Sequence, residues 1–150
     1  MIIRLLAAFS LMALCVVIHA SGLAWALRRL RRMRVPVQRF WPSAGLFILM
    51  SVWIVLLHLL EISVWAAFYV LNGALADLPT SFYFSAVTYT TTGYGDIVLP
   101  VAWRLNSGVE ALTGILMCGW STAFFFAVVN RLYEAKSGAP GPGAGAPTYR

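Results

Sequence analysis

Charge is what this sequence lacks. Only 11% of its 150 residues are charged and 61% are hydrophobic, against about 25% and about 45–50% in soluble globular domains. With so little polar surface to show to water, the chain is expected to lie in a membrane. At this length it has room for a few spanning helices, which excludes a separate soluble catalytic or ligand-sensing domain within these residues. Cysteine is scarce too. Cys15 and Cys118 both fall inside apolar runs, so two buried free thiols are expected, with no disulfide framework and no metal-ligand spacing. Acidic residues number five and lysine one.

The basic residues that are present cluster. Six arginines fall between Arg28 and Arg39, and the net charge is +6. A basic run beside an apolar segment marks a cytoplasmic, lipid-facing stretch where anionic headgroups are the expected partners. A nucleic-acid-binding face would have to be solvated with no membrane beside it, so nucleic acid is not expected as a partner.

Three apolar segments reach spanning length: residues 5–27, 45–71 and 105–131. The first crudely imitates a cleaved signal peptide, with Arg4, an apolar run and Ile18-His19-Ala20-Ser21. Cleavage would export the arginine cluster against the positive-inside rule, so a retained helix is expected. The N-terminus then lies outside and the C-terminus in the cytoplasm of a multi-pass cell-membrane protein. Leu27, Leu30, Met33 and Val37 recur at helical spacing between arginines, predicting a short interfacial helix that Pro36 ends or bends. Phe40 and Trp41 then anchor the chain at the headgroups before Pro42-Ser43 opens the second span. This organisation reads as a first helix over 1–27, a basic interfacial segment over 28–44, one compact module over 45–134, and a Gly/Ala/Pro-rich disordered tail over 135–150.

Residues 72–104, between the second and third spans, are too many for a tight turn and too few for a domain. Pro79 beside Thr80 and Ser81 marks a helix start, and the mostly apolar run to Tyr89 gives about three turns of helix dipping into the membrane. Thr90-Thr91-Thr92-Gly93-Tyr94-Gly95-Asp96 cannot continue that helix, because β-branched residues meet alternating glycines. Non-helical backbone at membrane depth is tolerated only when it is buried in protein or lines a polar cavity. Alternating glycines allow alternating signs of φ, so that successive carbonyls turn to one side. Around a symmetry axis such strands stack into rings of oxygens that replace the water shell of a monovalent cation, with the Thr91 hydroxyl as one further ring. The helix C-terminus, partially negative, favours a cation beside it. One chain supplies one strand, so a closed ring of identical subunits is expected.

At Thr91-Thr92-Gly93-Tyr94-Gly95-Asp96 the sequence resembles the potassium channel family, whose filter reads T-V-G-Y-G. The resemblance covers the second span, the short helix at about 79–89, the filter and the third span. It implies an all-α membrane protein of three transmembrane helices with a re-entrant pore helix, assembled as a homotetramer that conducts K⁺ passively. Thr91, Thr92, Gly93 and Tyr94 would hold K⁺ and Gly95 would complete the filter, with no cofactor beyond the permeant ion. Tyr94 would pack outward as a spacer. Asp96 would cap the outer mouth and bond an aromatic residue of the pore helix, here Tyr83. Gly114 and Gly119 match inner-helix glycines at which several members bend to open. The match departs at Thr92, where valine is commoner, and at Val87, where some members place a carboxylate partner for the aspartate.

Glu61 and His58 share one face of the second span with Ile54 and Trp65. An ionisable residue in a span needs a partner. For Glu61 the two readings are a structural hydrogen bond to the first span or to Ser/Thr hydroxyls, and support of the filter in place of the carboxylate missing at Val87. Glu110 is expected to face Arg104 or a water-filled vestibule. His19 reads as a satisfied interhelical polar residue rather than a ligand. Phe124-Phe125-Phe126 fits either a hydrophobic constriction or lipid-facing packing. Arginines at 28, 31, 34 and at 29, 32 have voltage-sensor spacing but follow the apolar run, so an interfacial anchor is expected. There is no nucleotide loop, EF-hand or Cys/His cluster, and the residues after Arg131 are too few for a ligand-binding domain. The reading is therefore a K⁺-selective channel, not an enzyme. Its rivals are a weakly selective monovalent cation channel, which Thr92 permits, and a non-conducting accessory subunit. A potassium transporter would need four such loops in one chain, and one is present.

Overall fold

The computed structural model describes residues 2–32 and 40–137. Four α-helices and one short 3-10 turn make up the described fold: α1 (Ile2–Arg32), α2 (Phe40–Leu71), α3 (Leu78–Tyr89), the turn Val101–Trp103, and α4 (Arg104–Ser137). No β-sheet pairing occurs among the described residues, and residues 91–96 are a non-helical stretch. Helices Ile2–Arg32, Ser43–Leu71 and Val101–Asn130 are long and apolar enough to cross a membrane.

These spans contain hydroxyls that lipid cannot satisfy, and the helices absorb them. Ser10, Ser51, Ser63, Thr113 and Thr122 each donate to the carbonyl four residues earlier, at 2.7–3.0 Å. On the outside, α2 presents Val52, Val55, Leu56, Leu59 and Leu60, and α4 presents Leu112, Ile115 and Phe126, all exposed. In water such surfaces would aggregate. In a bilayer they are the ordinary exterior of an all-α, multi-pass membrane protein.

Several boundaries differ from those read in the sequence. α1 runs on through Arg32, so Leu27 and Leu30 belong to the spanning helix and not to a separate interfacial one. Met33, Arg34, Pro36, Val37 and Arg39 lie outside the described residues. α2 starts at Phe40, ahead of Pro42, since a proline in the first turn forfeits no helical hydrogen bond. α3 is capped by Asp77, whose carboxylate accepts from the Thr80 amide and the Thr80 hydroxyl, each at 2.9 Å. Thr80 is therefore inside the helix as a donor and is not the cap. α4 continues through Ser137, three residues into the stretch read as disordered, because Glu134, Ala135 and Lys136 are good helix formers; residues 138–150 lie outside the described residues. Cys15 is buried as expected, but Cys118 is exposed on the single chain.

α2 closes with a Schellman motif, in which Ala74 N–H reaches the Tyr69 carbonyl (2.8 Å) and Gly73 N–H the Val70 carbonyl (3.0 Å), with Gly73 at φ +62°. This turn sends the chain back so that α3 lies against both α2 and α4. α1 packs on α2 and α4 from the other side. Its start is clasped to the start of α4. The Arg4 guanidinium donates to the Ala102 carbonyl (3.2 Å) and lies 4.6 Å from the Trp103 ring centre, while Asn106 Nδ2 donates to the Arg4 carbonyl (3.1 Å). The far ends meet through Ala26 and Leu30 against Phe124 and Val128. α1 and α4 are thus parallel, with α2 antiparallel to both. The phenylalanine triplet divides, Phe124 packing inside the chain and Phe126 facing out.

Two apolar clusters form the core. One holds Trp65, Tyr69, Phe84, Tyr89 and Met117; the other holds Leu46, Met50, Ile54, Phe124 and Val128. Between them lies a layer of buried polar side chains.

Candidate filter strand and the polar layer behind it

α3 does not stop abruptly. Its last carbonyls are taken by the amides that follow: Thr90 N–H reaches Ala86 (3.1 Å), Thr91 N–H reaches Thr88 (2.9 Å), and Thr92 and Gly93 N–H both reach Val87 (2.9 and 3.2 Å). Beyond this cap φ turns positive at every second residue: +60° at Thr91, +57° at Gly93 and +78° at Gly95. Glycine adopts this region freely, but a β-branched residue there costs roughly 1–3 kcal/mol. Thr91 is the sole non-glycine with positive φ among the described residues. All of residues 90–96 are exposed on the isolated chain, and Tyr94 projects with 71% of its surface free.

The side chains flanking this strand are tied down. Thr90 Oγ1 donates to the Ala86 carbonyl (2.7 Å) and lies 2.9 Å from Thr92 Oγ1. The hydroxyl that stands in for a valine methyl therefore has a partner on its own chain. Tyr83 Oη donates to Asp96 Oδ2 at 2.8 Å, and this bond to a carboxylate holds the Tyr83 phenol above its usual pKa range. A groove lined by Val87, Thr91, Asp96, Ser107 and Gly108 separates the strand from α4. Val87 offers no side-chain partner to Asp96; its carbonyl anchors the strand instead.

Glu61 reaches the first span, as one reading of the sequence expected, and also the end of α3. Its Oε1 lies 2.9 Å from His19 Nδ1 of α1, and its Oε2 accepts a short hydrogen bond from Tyr89 Oη, the last residue of α3. His58 joins the same group, with Nδ1 3.5 Å from Glu61 Oε2 and 3.3 Å from Tyr89 Oη. Ser121 Oγ of α4 lies 3.2 Å from Nε2 of both imidazoles. The layer therefore links all four helices, and Glu61, His19 and Tyr89 within it are almost wholly buried. Reading the sequence missed Tyr89 and Ser121, since their meeting depends on how α3 crosses α2. The sole signal was a phenol and a hydroxyl inside apolar runs.

Glu110 does not meet Arg104. It is buried and accepts from Tyr69 Oη at 2.8 Å, while Arg104 Nε donates to the Leu99 carbonyl at 3.2 Å. Six residues apart, the two point to different sides of α4. Gly114 abuts the Tyr89 carbonyl so closely that any Cβ would collide with that backbone oxygen. Gly119 faces open space.

A protein-family model described as Ion channel matches residues 46–131, from the early part of α2 through α3 and the strand to α4. A search of curated proteins and a search of solved structures each found no match. The matched stretch is more than half of the chain and holds two long apolar helices with a short helix and a non-helical strand between them, and on this footing the chain belongs to the two-helix, potassium-channel-like ion channel family.

Proposed function

We propose that the chain forms a passive K⁺-selective channel in which four copies surround one axis and residues 91–95 line the pore. The observation that carries this reading is the left-handed φ at Thr91, Gly93 and Gly95. Alternation at every second residue turns successive carbonyls the same way, which makes a strand of oxygens on one side. That strand is exposed on a single chain, and unpaired backbone at membrane depth is untenable unless other subunits enclose it around a polar path. Thr91, Thr92, Gly93 and Tyr94 then bind dehydrated K⁺, and Gly95 completes the filter. Asp96 and Tyr83 brace its outer mouth, and Glu61 braces its base through Tyr89. The Thr90–Thr92 bond favours selective over weakly selective conduction, because it holds the added hydroxyl away from the ion path.

In this reading α3 is re-entrant, the N-terminus is outside and the C-terminus is cytoplasmic in the cell membrane. Arg28, Arg29 and Arg32 line a shallow site with Trp25 at the end of α1, placed to meet anionic headgroups.

Purified protein in liposomes should pass K⁺ down its gradient and exclude Na⁺. Gly93→Ala, which puts a Cβ on a left-handed residue, should abolish K⁺ flux or admit Na⁺. Equal K⁺ and Na⁺ flux through the unaltered protein would make it a weakly selective channel, and absence of flux an accessory subunit. Gly93→Ala tetramers with undiminished K⁺ preference would remove these residues from the filter.

A further inference from the structure

His19 and His58 are not needed to conduct ions, yet both imidazoles sit in the buried layer with their nitrogens aimed the same way. Each turns Nδ1 toward the Glu61 carboxylate, at 2.9 and 3.5 Å, and each turns Nε2 toward Ser121 Oγ, at 3.2 Å. A neutral imidazole carries one hydrogen. With both hydrogens on Nδ1, the single Ser121 hydrogen satisfies one Nε2 and leaves the other facing an oxygen lone pair. With both on Nε2, the two donate to Ser121 Oγ, which has two lone pairs to accept them, but two bare Nδ1 atoms face a carboxylate. With one of each, His58 Nδ1 faces Glu61 Oε2 and a Tyr89 oxygen whose hydrogen already goes to Glu61. No placement of the available hydrogens satisfies every contact, so the cage is short of one cation.

The geometry points to a divalent transition-metal site formed by His19, His58 and Glu61, with Zn²⁺ the ion that suits it. One nitrogen of each ring and one carboxylate oxygen all lie within 4.8 Å of one another. His19 Nδ1 lies 2.9 Å from Oε1 of the Glu61 carboxylate and His58 Nδ1 3.5 Å from its Oε2, so the rings flank the two oxygens at separations close to the edge of about 3.3 Å of a tetrahedron with bonds of roughly 2.0–2.1 Å. Two imidazoles and one carboxylate are a Zn²⁺ donor set. With the metal between them both Nδ1 lone pairs become ligands, and both Nε2–H groups donate to Ser121 Oγ. That hydroxyl then orients the two rings as an outer partner should. Tyr89 Oη, 3.3 Å from His58 Nδ1, is the nearest oxygen for the fourth position. The site draws its ligands from α1 and α2 and its nearest further oxygens from α3 and α4, and it lies where burial keeps other ligands out.

The full chain should be produced with Zn²⁺ in the medium and purified without a metal-affinity step. Elemental analysis of the assembled protein should find about one Zn²⁺ per chain, and Co²⁺ in its place should give the visible d–d bands of a four-coordinate nitrogen–oxygen site. Glu61→Gln, which keeps the shape of the side chain but replaces the charge and one acceptor oxygen with an NH₂ donor, and His58→Ala should each lose the metal. Ser121→Ala, which touches no ligand bond, should bind about 10–100-fold more weakly. Unaltered protein that carries no metal, either as isolated or after refolding with Zn²⁺, overturns the site and leaves an extra proton as the cation. Equal metal content in the unaltered protein and in all three variants overturns it as well. None of these readouts measures flux, so their failure is separate from failure of the conduction reading.

Discussion

Thr91 in its φ and Glu61 in its burial both lie far from what their chemistry prefers. The strand from Thr90 to Asp96 was legible in the sequence because its glycines alternate and no helix tolerates that pattern. That Thr91 itself turns left-handed was not legible, since threonine's preferences argue against it and only the capped end of α3 imposes it. Glu61 could be flagged from its position in an apolar span, but its partners come from α1 and α3, 42 and 28 residues away. Glu61→Leu should leave Tyr89 Oη without an acceptor and His19 Nδ1 without its polar partner, and cost roughly 1–3 kcal/mol. Thermal unfolding in detergent would check this, with Tyr89→Phe as the companion variant that removes one of the two bonds. Unchanged melting in both variants would show that the layer contributes nothing to stability.

Among the elements, the three long helices follow from run length and hydropathy alone, whereas their ends do not. α1 and α4 outlast the segments drawn from composition because arginine, alanine, glutamate and lysine are helix formers whatever their polarity. The N-terminus of α3 was placed by Pro79, but the cap lies two residues before it at Asp77, which the Thr80 and Ser81 signal obscured. The two glycines of α4 separate at this scale. Gly114 is held against the Tyr89 carbonyl and Gly119 is not. Gly114→Ala should push α4 off the end of α3, destabilise the protein by about 1–3 kcal/mol and disturb conduction. Gly119→Ala should be neutral or stabilising by up to about 1 kcal/mol, as expected when helical glycine is replaced. If opening bends the helix at Gly119, that variant should also open less often. Single-channel recording alongside thermal melts distinguishes the two, and loss of stability in both would mean that α4 is packed along its whole length.

For the molecule as a whole, the exposed residues 90–96 and the exposed Cys118 of α4 are the surfaces that the proposed four-fold assembly would cover. Native mass measurement in mild detergent should find four copies, and the same after removal of residues 138–150, which lack the apolar side chains needed to bury an interface. A monomer that still passes K⁺ would rule out the four-fold pore.

The clasp between the starts of α1 and α4 also sets an order of events at synthesis. Arg4 meets Ala102 and Asn106, and His19 meets Ser121, contacts that span 98–102 residues. While α1 emerges, its imidazole has no partner in lipid. The first carboxylate to reach it is Glu61, 42 residues later, so the α1–α2 hairpin is the earliest unit able to satisfy itself. Among the described helices α4 emerges after the others and closes a structure already half formed, so the nascent chain keeps an open side until α4 has been made.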